Sequence, residues 1–465
     1  MDRLELLSPV DGRYGRHTES LANIFSEKGL IRHRVLVEGE YLLALSGHPE
    51  IGTREFSNGE KNLVRGLCEI STEDAQNIKT IETKGYGNIK ATNHDVKAVE
   101  YYIKDKLSGT SLEDSLEWIH FGLTSEDVNN LAYGMMLSDG IRHIIEPSLI
   151  ELQGDLGYLA KKYRNVPILA RTHGQPATPS TFGKEFNVFA SRLERQLNQL
   201  IDHNFSVKLN GASGNYNAQY TAYPKVDWRE FTVDFVNTLN IDKNGGNRRL
   251  FPNFVTTQIE PHDTYAELFD NLRRINTILI DFNQDMWRYI SDDWIIQKPI
   301  EGEIGSSAMP HKINPIDFEN SEGNLGIANA LFGYFSSKLP ISRLQRDLSD
   351  STVERNFGVA LGHSLIGYKS TLKGLGKIMI NENKVIEELR DHPEIISEAI
   401  QTILRREGVE MPYEKLKAMT RGRKVTMNDF ELFIDCLDIS EEVRRELKTI
   451  TPENYVGLAG VLSES

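Results

Sequence analysis

Between Tyr265 and Tyr289 the apolar residues Leu268, Phe269, Leu272, Ile275, Leu279, Phe282 and Met286 recur at alternating steps of three and four. That spacing lines one face of an α-helix. The run covers about seven turns, well beyond the ordinary globular helix of about 11 to 12 residues. Ile144 to Tyr163, Phe182 to Phe205, the stretch around NLGIANALFGYFSSKL, and Val359 to Ile380 read the same way. A stripe that long is buried only against other long helices, so a bundle is the expected architecture. Alternating strand patterns are scarce, and the expected fold class is all-α.

With 465 residues the chain can build a large core without covalent staples. The first 111 residues mix short helical patterns with Gly and Pro breaks. The long patterns fill 112–365, and shorter amphipathic pieces fill 366–465; these are the three domains expected. Cys68 and Cys436 are the only cysteines and lie far apart, which fits a reducing cytoplasm better than a disulfide scaffold. No signal-like run opens the sequence, and no window reaches the roughly 18 apolar residues that cross a bilayer. A net charge of −14 argues against nucleic-acid binding, which needs a basic surface. A local cluster of Arg and Lys can still hold a small anion.

Phosphate-loop, dinucleotide-binding, zinc and serine-hydrolase signatures are all missing from the sequence. The His-Asp pairs at His94 and His262 are too short and too far apart to imply a metal. What stands out is a set of polar islands between apolar helices: GRYG (Gly12–Gly15), ATNHDVKAVE (Ala91–Glu100), GLTSEDVNN (Gly122–Asn130), RTHGQPATPS (Arg171–Ser180), TTQIEPHD (Thr256–Asp263), GSSAMPHKINP (Gly305–Pro315) and SRLQRDLSDSTVER (Ser342–Arg355). Singly, each has a plain structural reading. Thr124 and Ser125 before Glu126 and Asp127 suit a helix cap with acidic first-turn residues. Arg346 and Arg355 suit an exposed helix face. Together they place His, Ser, Thr, Asn, Lys and Arg at the ends of long helices, where a bundle presents backbone N–H groups to a ligand.

GSSAMPHKINP resembles the signature loop of the fumarase/aspartase superfamily. The remaining islands, with SPVDGRYG near the start and TPENYVGLA near the end, are similar to the bacterial branch of its adenylosuccinate lyase family over essentially the whole chain. KGYGNIKA before Asn93 and the segment Asp242 to Asn253, expected as a surface loop, look like extra residues. The resemblance implies a nearly all-α, three-domain subunit and a homotetramer with a twenty-helix core. Each active site would be assembled from three subunits. The substrate would be a succinylated purine nucleotide from which fumarate is eliminated, with no metal or other cofactor. Sister lyases acting on argininosuccinate, malate or aspartate share the loop, but their substrates lack the phosphate that Arg13, Arg346 and Arg355 would serve. A reused, inactive scaffold is set aside because Ser306, Lys312 and His173 are all present, and a generic helical interaction protein would not account for the polar islands.

By the same resemblance Ser306 is the base that takes the proton from carbon, and His173 is the acid that protonates the departing nitrogen. His94 is a second histidine orienting substrate or phosphate, and Glu319 is a carboxylate paired with a catalytic histidine. Arg13, Tyr14, Arg346, Ser351 and Arg355 would hold phosphate. Thr124, Ser125 and Gln258 would hold the succinyl carboxylates. Asn93, Asp95, Ser307, Ile313 and Asn320 complete the substrate contacts. Lys312 and Asn314, with backbone N–H groups of Gly305 to Ala308, suit the doubly charged carboxylate that forms when the proton leaves. Ser306→Ala or His173→Ala is expected to lower the steady-state rate by about 10²–10⁴; near-normal turnover by His173→Ala would remove that assignment.

Overall fold

The computed structural model describes residues 3–242, 245–299, 309, 312–422 and 424–464. The expected long helices are present as Glu146–Lys162, Phe182–Ile201, Asp263–Ser291, Ile316–Lys338 and Phe357–Leu375. In the longest, Leu268, Phe269, Leu272, Ile275, Leu279, Phe282 and Met286 are each no more than 2% exposed, so the stripe read from the sequence is the buried face.

The chain divides into two compact units, one of residues 1–149, 196–277 and 323–369, the other of 150–195, 278–322 and 370–465. All five passages from one range to the other fall inside the five long helices. The first unit adds helices Gly15–Phe25, Glu27–Gly47, Asp95–Leu107, Ser125–Gly140 and Trp228–Asn240, among shorter ones. Its aromatic centre is Phe269, 4.9 Å from Phe357, 5.2 Å from Phe335 and 5.5 Å from Phe332 between ring centroids. Buried amides and hydroxyls fix the relative positions of the helices around it: Asn276 donates to Ser364 Oγ at 3.0 Å and accepts from Tyr368 at 2.7 Å. The second unit repeats the device, with Asn283 bonded to Ser321 at 2.9 Å and Ser321 to Thr371 at 2.8 Å. A second core there gathers Leu389, Ile396, Ile400, Leu404, Phe430 and Leu447 from the C-terminal helices.

Three features depart from the sequence reading. RTHGQPATPS is not a helix-end connection. It is a β-hairpin of β1 (Pro167–Thr172) and β2 (Gln175–Thr181). His173 and Gly174 form its two-residue turn with φ of 53° and 75°, the left-handed pair that matches the twist of a tight hairpin. The helix read from Ile144 begins earlier, because Ile141–Ile145 is a π-helical segment joining Ser125–Gly140 to Glu146–Lys162. The Asp242 to Asn253 segment is not a simple surface loop: Asp242 and Arg248 are buried, and Leu250–Pro252 pairs in parallel with Phe205–Val207. Arg248 is tolerated inside because Asp139 meets it at 2.7 Å. KGYGNIKA forms a small turn closed by two Tyr86–Ile89 backbone bonds of 2.9 Å. A Cβ at Gly85 would lie 2.5 Å from Ile89 O.

Truncating Phe269 removes a fully buried ring from the aromatic centre, and Phe269→Ala is expected to lower unfolding free energy by about 3–5 kcal/mol. Denaturant titration checks this, and a loss under about 1 kcal/mol would show that the cluster does not carry the unit.

Candidate active site

Four of the polar islands meet in the first unit. Two helix N-termini carry them. Thr124 is the N-cap of Ser125–Gly140, and Asp127 three residues on accepts from Thr124 N at 2.9 Å. His94 is the N-cap of Asp95–Leu107 and accepts from Lys97 N through Nδ1 at 3.3 Å. Asn93 before it has φ of 49°, a left-handed turn that Asn tolerates. The two termini are joined by His94 Nε2 and Ser125 Oγ at 3.3 Å. First-turn N–H groups have no partner within their own helix, so paired N-termini are suited to a carboxylate or phosphate.

Cations surround this junction. Arg355, at the C-cap of Ser349–Glu354, donates to Asp95 at 2.9 Å and to Glu27 at 3.2 Å. Arg34, buried on Glu27–Gly47, reaches Asp95 at 2.8 Å and Asn129 at 3.0 Å. Burial alone would raise the Asp95 carboxyl, but Arg34, then the Val96 N–H at 2.9 Å and Arg355, overcome it and hold the group at about 2. Arg346 meets the buried Glu126 at 2.6 Å and Asp350 at 3.6 Å, beside Ser351, whose N–H donates to Asp350 at 2.8 Å. One guanidinium thus serves three buried carboxylates, Glu126, Asp350 and Glu354. Burial pushes all three upward, with Arg346 opposing. The carboxylates outweigh the burial of Arg346 and push its guanidinium further up.

Gln258 joins the same region, since its Nε2 donates to Ala212 O at 3.1 Å. Gly211 next to it donates to Asp127 at 3.1 Å. Thr257 donates to Gln345 O at 2.8 Å, tying TTQIE to the Arg346 segment. Arg13 and Tyr14 open the Gly15–Phe25 helix, with the Arg13 guanidinium 5.8 Å from the Tyr14 ring.

The other predicted residues belong to the second unit. His173 is exposed at its hairpin tip, and Lys312 and Ile313 are exposed while Asn314 is half-buried. Ile313 O accepts from Gln297 at 3.1 Å. Glu319, in the first turn of Ile316–Lys338, accepts from Trp287 Nε1 at 3.1 Å, and Asn320 donates to Ser370 at 2.7 Å. Ser306 and Ser307 lie outside the described residues. Arg34 does not stand out in the sequence, because a helical residue outside any polar island carries no motif; Glu126 and Glu354 lie in polar islands, but their burial against Arg346 is not written there.

Comparison with known proteins gives this arrangement its class. Residues 12–330 match the family model described as lyase, and 342–456 match adenylosuccinate lyase C-terminal. The chain belongs to the lyase family and is an enzyme. It is 50% identical over 464 residues to the adenylosuccinate lyase of Escherichia coli strain K12, covering 99% of this chain and 98% of that one. The adenylosuccinate lyase of Vibrio cholerae is 47% identical over 468 residues, at 100% and 99% coverage, and that of Dictyostelium discoideum 47% over 471, at 98% and 97%. Within the family its place is with the adenylosuccinate lyases. The fold is shared with a fumarate lyase from Mesorhizobium sp. BNC1, TM-score 0.72 at 18% identity over 96% of each chain. A 3-carboxy-cis,cis-muconate lactonizing enzyme from Pseudomonas putida also has TM-score 0.72 at 18% identity, over 96% and 95%.

Asp95 supplies a pH test. Its folded value of about 2 lies below the ordinary value near 3.9, so its contribution to stability is complete above about pH 4 and is lost as pH falls toward 2. The difference in unfolding free energy between wild type and Asp95→Asn is expected to hold steady above about pH 5 and to close between about pH 4 and 2. A pH-independent difference would contradict the two-arginine clamp.

Proposed function

We propose that the chain eliminates fumarate from adenylosuccinate, giving AMP, and from the succinylated aminoimidazole carboxamide ribotide, giving AICAR, in cytoplasmic purine synthesis. The observation that carries this reading is the paired helix N-termini at His94 and Ser125 with Arg34, Arg346 and Arg355 around them. A substrate bearing two carboxylates and a phosphate needs several anion sites close together, and a phosphate-free sister substrate would leave some of these cations without a purpose.

In the reaction Ser306 removes the proton from the carbon beside one carboxylate. The electron pair forms the new double bond and expels the nitrogen, which His173 protonates. Lys312 and Asn314 stabilise the charge that builds on the carboxylate. Glu126 holds Arg346 in position, and Asp95 does the same for Arg355, so both guanidinium groups are oriented before phosphate arrives. No helix among the described residues is long and apolar enough to cross a membrane.

The enzyme would work as a homotetramer with shared sites. Five long helices per chain are what a twenty-helix core of four chains requires. Ile150, Tyr158, Ile327 and Tyr334 on those helices are 50–64% exposed in the single chain, and a second subunit would cover such apolar residues. His173, exposed at its hairpin tip, would enter a neighbour's site. Purified protein is expected to consume adenylosuccinate in an ultraviolet assay, and Ser306→Ala to be inert; preference for argininosuccinate, malate or aspartate would overturn the substrate. Light scattering is expected to give four times the chain mass, and a monomer at micromolar concentration would contradict the sharing of sites.

A further inference from the structure

A cavity of about 620 Å³ lies wholly within the first unit. Helices Gly15–Phe25, Glu27–Gly47, Asn58–Gly66 and Trp228–Asn240 contribute to its wall, as do the end of Ser125–Gly140 and the π-helical segment after it. Asp139, in that wall, is 14 residues along its helix from Ser125. At 1.5 Å per residue the two are about 21 Å apart, and Arg32, two positions before Arg34 of the anion cluster on Glu27–Gly47, lies about 200° round that helix from it, so the cavity opens on the other face.

Its charges can be matched pair by pair. Arg65 forks onto both oxygens of Glu40 at 2.8 and 3.2 Å. Arg248 forks onto both oxygens of Asp139 at 2.7 and 3.1 Å. Asp242 is met by His143 at 3.0 Å and by Gly246 N at 2.8 Å. Every carboxylate in the wall is thereby engaged. One cation is left over: Arg32, half-buried on Glu27–Gly47, makes no ion pair or hydrogen bond among the described residues. A guanidinium has five donors and no acceptor, so its natural complement is an oxyanion, which it can grip with two parallel bonds. Beside it the wall is apolar, formed by Ile24, Leu36, Leu239 and Ile241.

Asp139, His143 and Asp242 also bring possible metal-ligand atoms within 4.8 Å of one another. The electrostatics oppose a metal there. A divalent ion would add two positive charges beside Arg248, beside Arg142 at 3.9 Å from Asp242, and beside the unmatched Arg32. The π-helical segment that carries His143 is a feature found frequently at functional sites.

We propose that this cavity is a second binding site, for a small organic anion whose carboxylate or phosphate group is held by Arg32 and whose apolar body packs on Ile24, Leu36, Leu239 and Ile241. The proposal does not depend on the catalytic assignments. Cys68, buried in the same wall, gives a local readout through its rate of alkylation in the full-length protein, followed by mass spectrometry. Phenyl phosphate, benzoate and inorganic phosphate are the probes. At least one organic probe is expected to slow Cys68 alkylation, and Arg32→Gln to weaken that protection about ten- to hundredfold while leaving KM and kcat for adenylosuccinate unchanged. Protection by phenyl phosphate alone identifies a phosphate ester, and protection by benzoate extends the site to carboxylates. If inorganic phosphate protects equally well, the apolar half of the proposal fails. If no probe protects, or Arg32→Gln responds like wild type, the site is refuted. Crystals of the full-length protein soaked in the effective probe, or in phenyl phosphate should Cys68 prove unreactive, provide the second measurement: density at Arg32 is expected, and an empty cavity would overturn the assignment.

Discussion

The Asp127–Lys208 pair is the contact on which the candidate site depends. Both side chains are fully buried, and Lys208 Nζ lies 2.6 Å from Asp127 Oδ1. Taking two charges out of water costs several kcal/mol per ion, and the cost is offset only when the remaining hydrogen-bond capacity is used. Here it is used. Asp127 also accepts from Thr124 N, Asn210 N and Gly211 N, while Lys208 donates to Gly211 O at 3.2 Å. The backbone of Lys208 is held in turn, accepting from and donating to the Asn130 side chain at 3.1 and 2.7 Å. One carboxylate therefore caps the Ser125–Gly140 helix and anchors the loop that Gln258 leans on. The same loop makes its close approach at Gly214, φ 80°, where a Cβ would lie 2.3 Å from Thr256 O. Thr124 and Ser125 are positioned by burial energetics rather than by a flexible loop.

The second constraint is charge. A chain with net charge −14 gathers arginines at the candidate site, and among the described residues each of Arg34, Arg346 and Arg355 has a carboxylate partner. Arg355 and Arg34 share Asp95, and Arg346 sits among Glu126, Asp350 and Glu354. These partners orient the guanidinium groups and moderate the field, as fixed two-bond contacts to an anion require. Arg32 stands apart because it has no such partner among the described residues.

The long helices were legible because a seven-turn apolar stripe has only one economical way to be buried. Thr124 was legible as a cap because acidic first-turn residues, Glu126 and Asp127, follow it; that Asp127 caps it in return is seen only in the structure. The His173 hairpin was not, because its strands are short and its turn depends on left-handed backbone at His173, which no side-chain periodicity records. Arg248 read as a surface residue because its buried partner, Asp139, is more than a hundred positions away in the sequence. Arg34 and Glu354 carry no sequence signal for the same reason: their roles are set by contacts between distant segments. The motif resemblance supplied residue roles that spacing could not, including those of Ser306 and Ser307, which lie outside the described residues.

The central claim is that a working site draws on residues from different subunits. Mixing two inactive proteins tests it most directly: His173→Ala, defective at the hairpin tip, and Arg355→Gln, defective at the anion cluster, are dissociated together and allowed to reassociate. If sites are shared, some sites in the hybrid tetramers receive both intact residues, and activity toward adenylosuccinate returns. If the hybrids form, as their mass would show, and activity stays absent, each subunit builds its site alone and the account is contradicted.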